Sequence, residues 1–219
     1  MASEARPGGE MRPVIVIGGG GHARVLIDAL RLRGRRILGI CDPRLPVGQG
    51  LLGIEVLGGD EALARFPASE IELANGVGTT GETTVRDGLY RRFASAGFDF
   101  VRIVHPSAVI AGDAELGTGV QVMAGAVIQS GSRIGANSIV NTRASVDHDC
   151  RIGESVHLAP GVTLSGVVAI GDGTHVGTGA CVIQGIAIGR NCLVRAGAVV
   201  TSNIRDGGRV PPRGAEARR

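Results

Sequence analysis

The sequence contains no lysine: all 23 basic side chains among its 219 residues are arginine. A Schiff-base lysine and the lysine of a phosphate-binding P-loop are both excluded. Tryptophan is absent and aromatics make up 2%, which leaves few platforms for base stacking. The net charge of +3 comes from dispersed arginines with a small excess at the C-terminus, and no nucleic-acid partner is expected. The four cysteines, Cys41, Cys150, Cys181 and Cys192, form no CxxC pair. Free thiols are expected, and no metal cluster. No apolar run approaches the roughly 18 to 20 residues that cross a bilayer. Residues 1–10 lack the apolar stretch of a signal peptide, so no membrane insertion and a cytoplasmic location are expected. What is present is a globular composition, 43% hydrophobic.

Two halves follow different rules. After a tail at residues 1–12, Val14-Ile-Val-Ile17 reads as a buried strand, followed by the loop Gly18-Gly-Gly-Gly-His22. A helix over His22 to Arg33 carries Val25, Leu26, Ala29 and Leu30 at helical spacing, and Gly34 ends it. Ile37 to Ile40 is a second strand with Asp42 just past its end. A short helix is expected around Glu61 to Phe66, a third strand over Ile71 to Val77 and a helix over Glu82 to Ala96. Alternating strands and helices argue for a small parallel sheet, an α/β Rossmann-like domain over 13–104.

Beyond residue 105 a repeat takes over. From Ile110, every sixth residue is Ile, Leu or Val through Val200, sixteen positions in register. Two residues earlier stands mostly a small residue, such as Ala108, Ala126, Ser132, Ala144, Cys150 or Ala198. Glycine often follows the aliphatic residue, as at Gly117, Gly135 and Gly171, where it is expected to supply unusual backbone angles. Each hexad is one short strand and one tight turn, and stacked copies bury a continuous aliphatic column. Three hexads close a triangular coil, so 105–204 forms a β-solenoid of about five coils, roughly 25 Å tall at ~4.8 Å per coil. Residues 205–219 are expected to be a tail.

Five histidines are candidates for chemistry: His22, His105, His148, His157 and His175. His148 stands in Val146-Asp-His-Asp-Cys150. A carboxylate on one ring nitrogen fixes the tautomer and raises the basicity of the other, which suits general-base work; a solvated surface patch is the plain alternative. Either Asp147 or Asp149 can be the partner. His157 and His175 are 18 apart and stack on successive coils, whereas His148 and His157 are 9 apart and face different sides of one prism. His175 reads as a packing or solvent-exposed residue and His105 as structural. Gly18-x-Gly20-x-x-Ala23 fits a dinucleotide fingerprint, in which glycines let backbone N–H groups approach a phosphate at a helix N-terminus.

The hexad register resembles the hexapeptide-repeat, left-handed β-helix acyltransferases. The stretch Asn141-Thr-Arg-Ala-Ser-Val-Asp-His-Asp-Cys-Arg-Ile-Gly153 is similar to the catalytic coil of bacterial nucleotide-4-amino-sugar N-acetyltransferases of the bacillosamine and perosamine type, relatives of sialic-acid O-acetyltransferases. The resemblance implies the left-handed coil, a homotrimer, acetyl-CoA as co-substrate without a metal, and a nucleotide-linked amino sugar as acceptor. It makes His148 the base and Asp149 its carboxylate partner. It places His157 near the acetyl thioester, where a donor polarises the carbonyl, and Gly166, Thr178 and Ala196 along CoA, mainly through backbone. Gly20, Gly21, His22 and Asp42 match the nucleotide-sugar site. Two departures stand out. The family often has two acidic residues ending the second strand, and here the first is Cys41; its short turn after the third strand is here the longer Gly76-Val-Gly-Thr-Thr-Gly81.

The implied reaction is direct attack of the sugar amine on the thioester. Three alternatives use other chemistry. A sugar O-acetyltransferase would use the same base on a hydroxyl. A γ-carbonic-anhydrase-like zinc lyase needs two histidines five apart, and no pair here has that spacing. An NAD-dependent enzyme would explain the glycine loop and leave the β-helix without a role.

Overall fold

The computed structural model describes residues 11–213. Residues 1–10 of the expected N-terminal tail and 214–219 of the C-terminal one lie outside them. The first unit comprises β1 (Val14–Ile17), α1 (Gly21–Leu32), β2 (Ile37–Cys41), β3 (Gly50–Leu51), β4 (Ile54–Gly58), a 3-10 helix (Asp60–Arg65), β5 (Glu72–Asn75), α2 (Thr84–Ser95) and β6 (Asp99–Phe100). The strands lie in the order β3-β4-β2-β1-β5-β6. All pairs are parallel apart from β3–β4. β1 is central, and its unbroken apolar run is fully buried because such a strand is covered on both faces.

α1 buries Ala23, Leu26, Ile27, Ala29 and Leu30. Val25, expected on the inner stripe, is 43% exposed. At about 100° per residue it falls off the face that Ala23, Leu26 and Leu30 share, and Ile27 takes the inner position. The β3–β4 hairpin has no counterpart in the sequence reading. Its turn residues Leu52 and Gly53 lie at φ 51° and 72°, yet Leu-Gly lacks the Asn or Asp that marks such turns.

The second unit is a three-faced parallel solenoid. The first face has seven rungs from Ile103–Val104 to Arg209–Val210, the second six from Val109–Ile110 to Val199–Val200, and the third five from Glu115–Leu116 to Ala187–Ile188. Rungs on one face are 18 residues apart through Val200, as in Gln121↔Ile139 and His157↔His175. Each of the sixteen register positions from Ile110 to Val200 is the second residue of a rung, and together they form the core column. The solenoid extends one rung past each expected limit. Ile103–Val104 pairs with Gln121–Val122 below it, and Arg209–Val210 pairs with Leu193–Val194, so 205–210 is part of the ladder instead of a tail.

Small residues before each rung sit inside the corners, and some do more than fit. Ser132 Oγ donates to Asp147 O and accepts from Cys150 N, and Thr174 Oγ1 does the same between Gly189 O and Cys192 N. These hydroxyls satisfy backbone groups that an apolar residue would leave orphaned.

The expectation for glycine needs correction. Gly117, Gly135 and Gly171 do not adopt positive φ; the left-handed residue is two further on, at Gly119, Asn137 and Gly173. Gly117 is small for another reason: a Cβ there would stand 2.7 Å from Ala136 N on the next coil. Among the described residues, no helix is long and apolar enough to cross a membrane.

Candidate active site

The first unit docks on the first face of the solenoid, and the glycine loop lies at that junction. A Cβ on Gly18 would stand 2.8 Å from Val77 Cγ2, and one on Gly19 would collide with Leu45. Gly20 and Gly21 are exposed with no atom within 4 Å of a Cβ, so the surrounding chain does not itself demand glycine there. A ligand approaching the open N-terminus of α1 would. Asp42 is buried beneath the loop. Its carboxylate accepts the N–H of Gly19 at 2.8 Å and side-chain bonds from Arg44 at 2.9 and 3.1 Å. Those bonds, Arg44 foremost, pull its pKa down to about 2. In the free protein it braces the loop.

His22 turns away from the loop's open side to the solenoid. Its Nε2 lies 2.7 Å from Gln121 Oε1, while Gln121 Nε2 donates to Asn75 O at 2.9 Å. That second bond fixes the amide, so His22 Nε2 carries the proton. Burial, then the nearby charge of Arg86, lowers its pKa to about 4.

Around it runs a buried polar network that sequence reasoning missed. Arg86, from α2, donates through Nη1 to Asn75 O and Val77 O, and through Nε to Asn137 O across the junction. Its Nη2 has no partner among the described residues. Asn75 Nδ2 donates to Arg86 O and Asn137 Oδ1. Gln121, His157 and His175 all occupy outward positions of first-face rungs. Their burial follows from docking of the first unit, which hexad spacing does not reveal.

His157 is enclosed by Thr79, whose Oγ1 lies 2.6 Å from Nδ1, and by Asn141, whose Nδ2 lies 3.0 Å from Nε2. His175 also reaches Thr79 Oγ1 through Nδ1 at 3.1 Å, and the two rings meet edge to face at 4.9 Å. Burial lowers both pKa values. His175 is thus a bonded residue of the junction. Both ring nitrogens of His157 are engaged, which leaves no N–H over for a thioester oxygen in the free protein.

His148 stands elsewhere, at the exposed corner between the second and third faces, opposite the first face. Its Nδ1 lies 2.9 Å from Asp149 Oδ2. Asp147 instead accepts the backbone N–H of His148 at 2.8 Å. Asp149 is therefore the ring's partner, and at φ 59° it adopts the left-handed conformation that Asp tolerates. Its bond raises the His148 pKa, and Asp147's charge adds to this. The ionised Asp149 can only accept, so Nδ1 holds the proton and Nε2 carries a lone pair with no hydrogen-bond partner among the described residues. Cys150, next along, is buried with Sγ 3.3 Å from Ser165 O, and burial raises its thiol pKa. It is unsuited to acyl transfer.

Gly166 sits one coil beyond His148 at the same corner, whereas Thr178 and Ala196 stack, exposed, at the corner between the first and second faces. The backbone N–H groups of all three donate no hydrogen bond among the described residues. The candidate residues of one chain thus fall into separate groups: the glycine loop, His22 and His157 at the first face, and His148 at the opposite corner.

The family model of the PglD N-terminal domain matches residues 13–93. UDP-N-acetylbacillosamine N-acetyltransferase of Bacillus subtilis (strain 168) is 37% identical over 121 residues, which span 52% of this chain and about half (52%) of that relative. Among solved structures, the acetyltransferase domain of PglB from Neisseria gonorrhoeae FA1090 is 34% identical, with TM-score 0.85, over 90% of this chain and 95% of the other. A histidine-to-asparagine variant of perosamine N-acetyltransferase from Caulobacter crescentus, in complex with CoA and GDP-perosamine, is 39% identical, with TM-score 0.83, over 90% and 92%. The chain belongs to the hexapeptide-repeat sugar acetyltransferase family, with the nucleotide-amino-sugar N-acetyltransferases of bacillosamine and perosamine type, and its solenoid is the left-handed β-helix of that family.

Proposed function

We propose that this protein transfers the acetyl group of acetyl-CoA to the amine of a nucleotide-linked 4-amino-6-deoxy sugar. The observation that carries the reading is the His148–Asp149 pair, 2.9 Å apart at a solenoid corner, with Nε2 free of any hydrogen bond among the described residues. The nucleotide diphosphate lies over Gly18 to His22, with Gly20 and Gly21 giving close backbone approach. The neutral amine attacks the thioester carbonyl as its proton passes to His148 Nε2. A C–N bond forms, the C–S bond breaks, and the CoA thiolate takes the proton back from the imidazolium. Asp149 steadies that imidazolium. The pantetheine arm of CoA runs past Gly166, Thr178 and Ala196, whose unengaged N–H groups suit its carbonyl oxygens.

Because one chain holds the base and the sugar site on opposite sides, the complete site needs a second copy. A homotrimer that packs the prisms side by side supplies it. The second face carries Val109 and Val199, which are 63% and 42% exposed and suit such packing. The cytoplasm, where acetyl-CoA and nucleotide sugars are made, is the proposed location.

The test is thiol release from acetyl-CoA against UDP-, GDP- and dTDP-linked 4-amino-6-deoxy sugars. Turnover with one of them supports the reading and fixes the nucleotide. Silence across the panel, with acetyl-CoA still bound by the protein, would redirect it to a hydroxyl acceptor such as sialic acid.

A further inference from the structure

The loop between β5 and α2 lies along the first face and places one hydroxyl, that of Thr79, between two stacked histidines. Thr83, at its end, donates to Gly173 O at 2.9 Å and pins the loop to the solenoid. Gly78 lies against His22, where a Cβ would stand 3.1 Å from His22 Cβ, so Thr79 sits beside the glycine loop.

The proton on each ring follows from the bonds around it. Asn141 Oδ1 accepts the N–H of Thr142 at 2.8 Å, so the amide's NH₂ end faces His157 Nε2 at 3.0 Å. An NH₂ group only donates, and His157 Nε2 must accept. His157 is neutral because it is buried, so its single N–H is on Nδ1 and points at Thr79 Oγ1, 2.6 Å away. The Thr79 hydroxyl therefore accepts from His157. Among the described residues the one acceptor left for its own proton is His175 Nδ1 at 3.1 Å. His175, neutral as well, then carries its hydrogen on Nε2.

We infer that Thr79 is a positioning residue that sets opposite tautomers in His157 and His175, so that His175 Nε2–H is the imidazole donor which this pair offers to an oxygen of the bound nucleotide sugar. This rests on the proposed acetyl transfer for its kinetic consequence, and on the hydrogen bonds alone for its proton arrangement.

Two measurements on the full-length protein test it. Nitrogen-15 histidine NMR, with His157 and His175 assigned by loss of signal in His157→Gln and His175→Gln, should show His157 protonated on Nδ1 and His175 on Nε2. The same tautomer in both, or Nε2–H in His157, overturns the inference. In Thr79→Val the Nδ1–H of His157 should move upfield as its acceptor is lost, and in Thr79→Ser it should stay.

Kinetically, Thr79→Val should raise KM for the nucleotide sugar about five- to tenfold, the size of one net hydrogen bond. Thr79→Ser should restore it. The acid limb of the pH profile should not move, because Thr79 bonds neither His148 nor the Asp149 that raises its pKa. Unchanged KM in Thr79→Val sinks the positioning role, as does a shifted acid limb. If the wild-type protein acetylates no nucleotide sugar, the functional reading fails while the tautomers still decide the proton arrangement.

Discussion

The imidazole of His148 rests on Gly166. A Cβ built on Gly166 would stand 2.5 Å from His148 Cε1 and 2.9 Å from Cδ2, and closer still to Nε2. One coil separates the two residues along the chain, and only about one strand spacing, ~4.8 Å, separates them in space. Gly131 performs the same service on the preceding coil, where a Cβ would stand 2.5 Å from Asp149 Oδ1. Gly166 does not adopt positive φ, so alanine carries no backbone penalty there. Gly166→Ala should fold and melt like wild type while its methyl displaces the ring. A kcat/KM about 10- to 100-fold lower is expected, the cost of an ~1 Å misplacement of a catalytic group. Thermal melts beside thiol-release assays check this, and an active Gly166→Ala would show that the ring is not held where the chemistry needs it.

The acid limb of kcat/KM should report His148. A base must be neutral to take a proton, so activity should rise with pH through a midpoint above the ordinary histidine value of about 6.5, since Asp149 and Asp147 raise the His148 pKa. Removing the carboxylate in Asp149→Asn should move that midpoint to lower pH. It should also lower the plateau about tenfold or more, because the ring loses the partner that holds its proton on Nδ1. His148→Asn should cost about 10²-fold or more. A limb that stays put in Asp149→Asn would belong to another group, such as the substrate amine.

What the sequence made legible was whatever repeats or is local. The solenoid core could be numbered residue by residue because an inward aliphatic every sixth residue is demanded by each coil separately. Asp149 bonds a ring one residue away, and the Asp-His-Asp cluster announced it. The junction was opaque for the converse reason. His22 with Gln121, Thr79 with His157, and Arg86 with Asn137 are 99, 78 and 51 residues apart. Nothing in hexad spacing says which face receives the first unit, and so which outward side chains become buried. His157 shows the consequence: its outward place in the hexad gave no sign of the docked unit that encloses it, with both nitrogens bonded.

Arg86 should be the most costly side chain to remove at that junction. It is a fully buried cation with no carboxylate among its bonds, and burial lowers its pKa to about 9. What it supplies is three donated hydrogen bonds, two to the first unit and one to the solenoid. Arg86→Met keeps the volume and strands the carbonyl oxygens of Val77 and Asn137. A loss of about 3–5 kcal/mol is expected by urea unfolding. Arg86→Lys restores the charge without the planar fork and should recover little of it. Full recovery by lysine would mean that charge, and not the fork, is what the junction needs.

Acidification should loosen the same junction. Burial holds the pKa of His22 down at about 4 and lowers those of His157 and His175. In the unfolded chain all three titrate near 6.5. Below that pH the unfolded state takes up protons that the folded state refuses, so stability falls as pH falls. For His22 the loss is complete only once the folded protein protonates near pH 4. Each such histidine steepens the decline by up to about 1.4 kcal/mol per pH unit. Urea midpoints should be nearly level from pH 8 to 7 and drop progressively from 6.5 to 5. His157→Gln, which cannot titrate, should show a shallower decline even if it starts from lower stability. An equal slope in that variant would mean that His157 is protonated as readily in the folded protein as in the unfolded chain, contrary to its enclosure by Thr79 and Asn141.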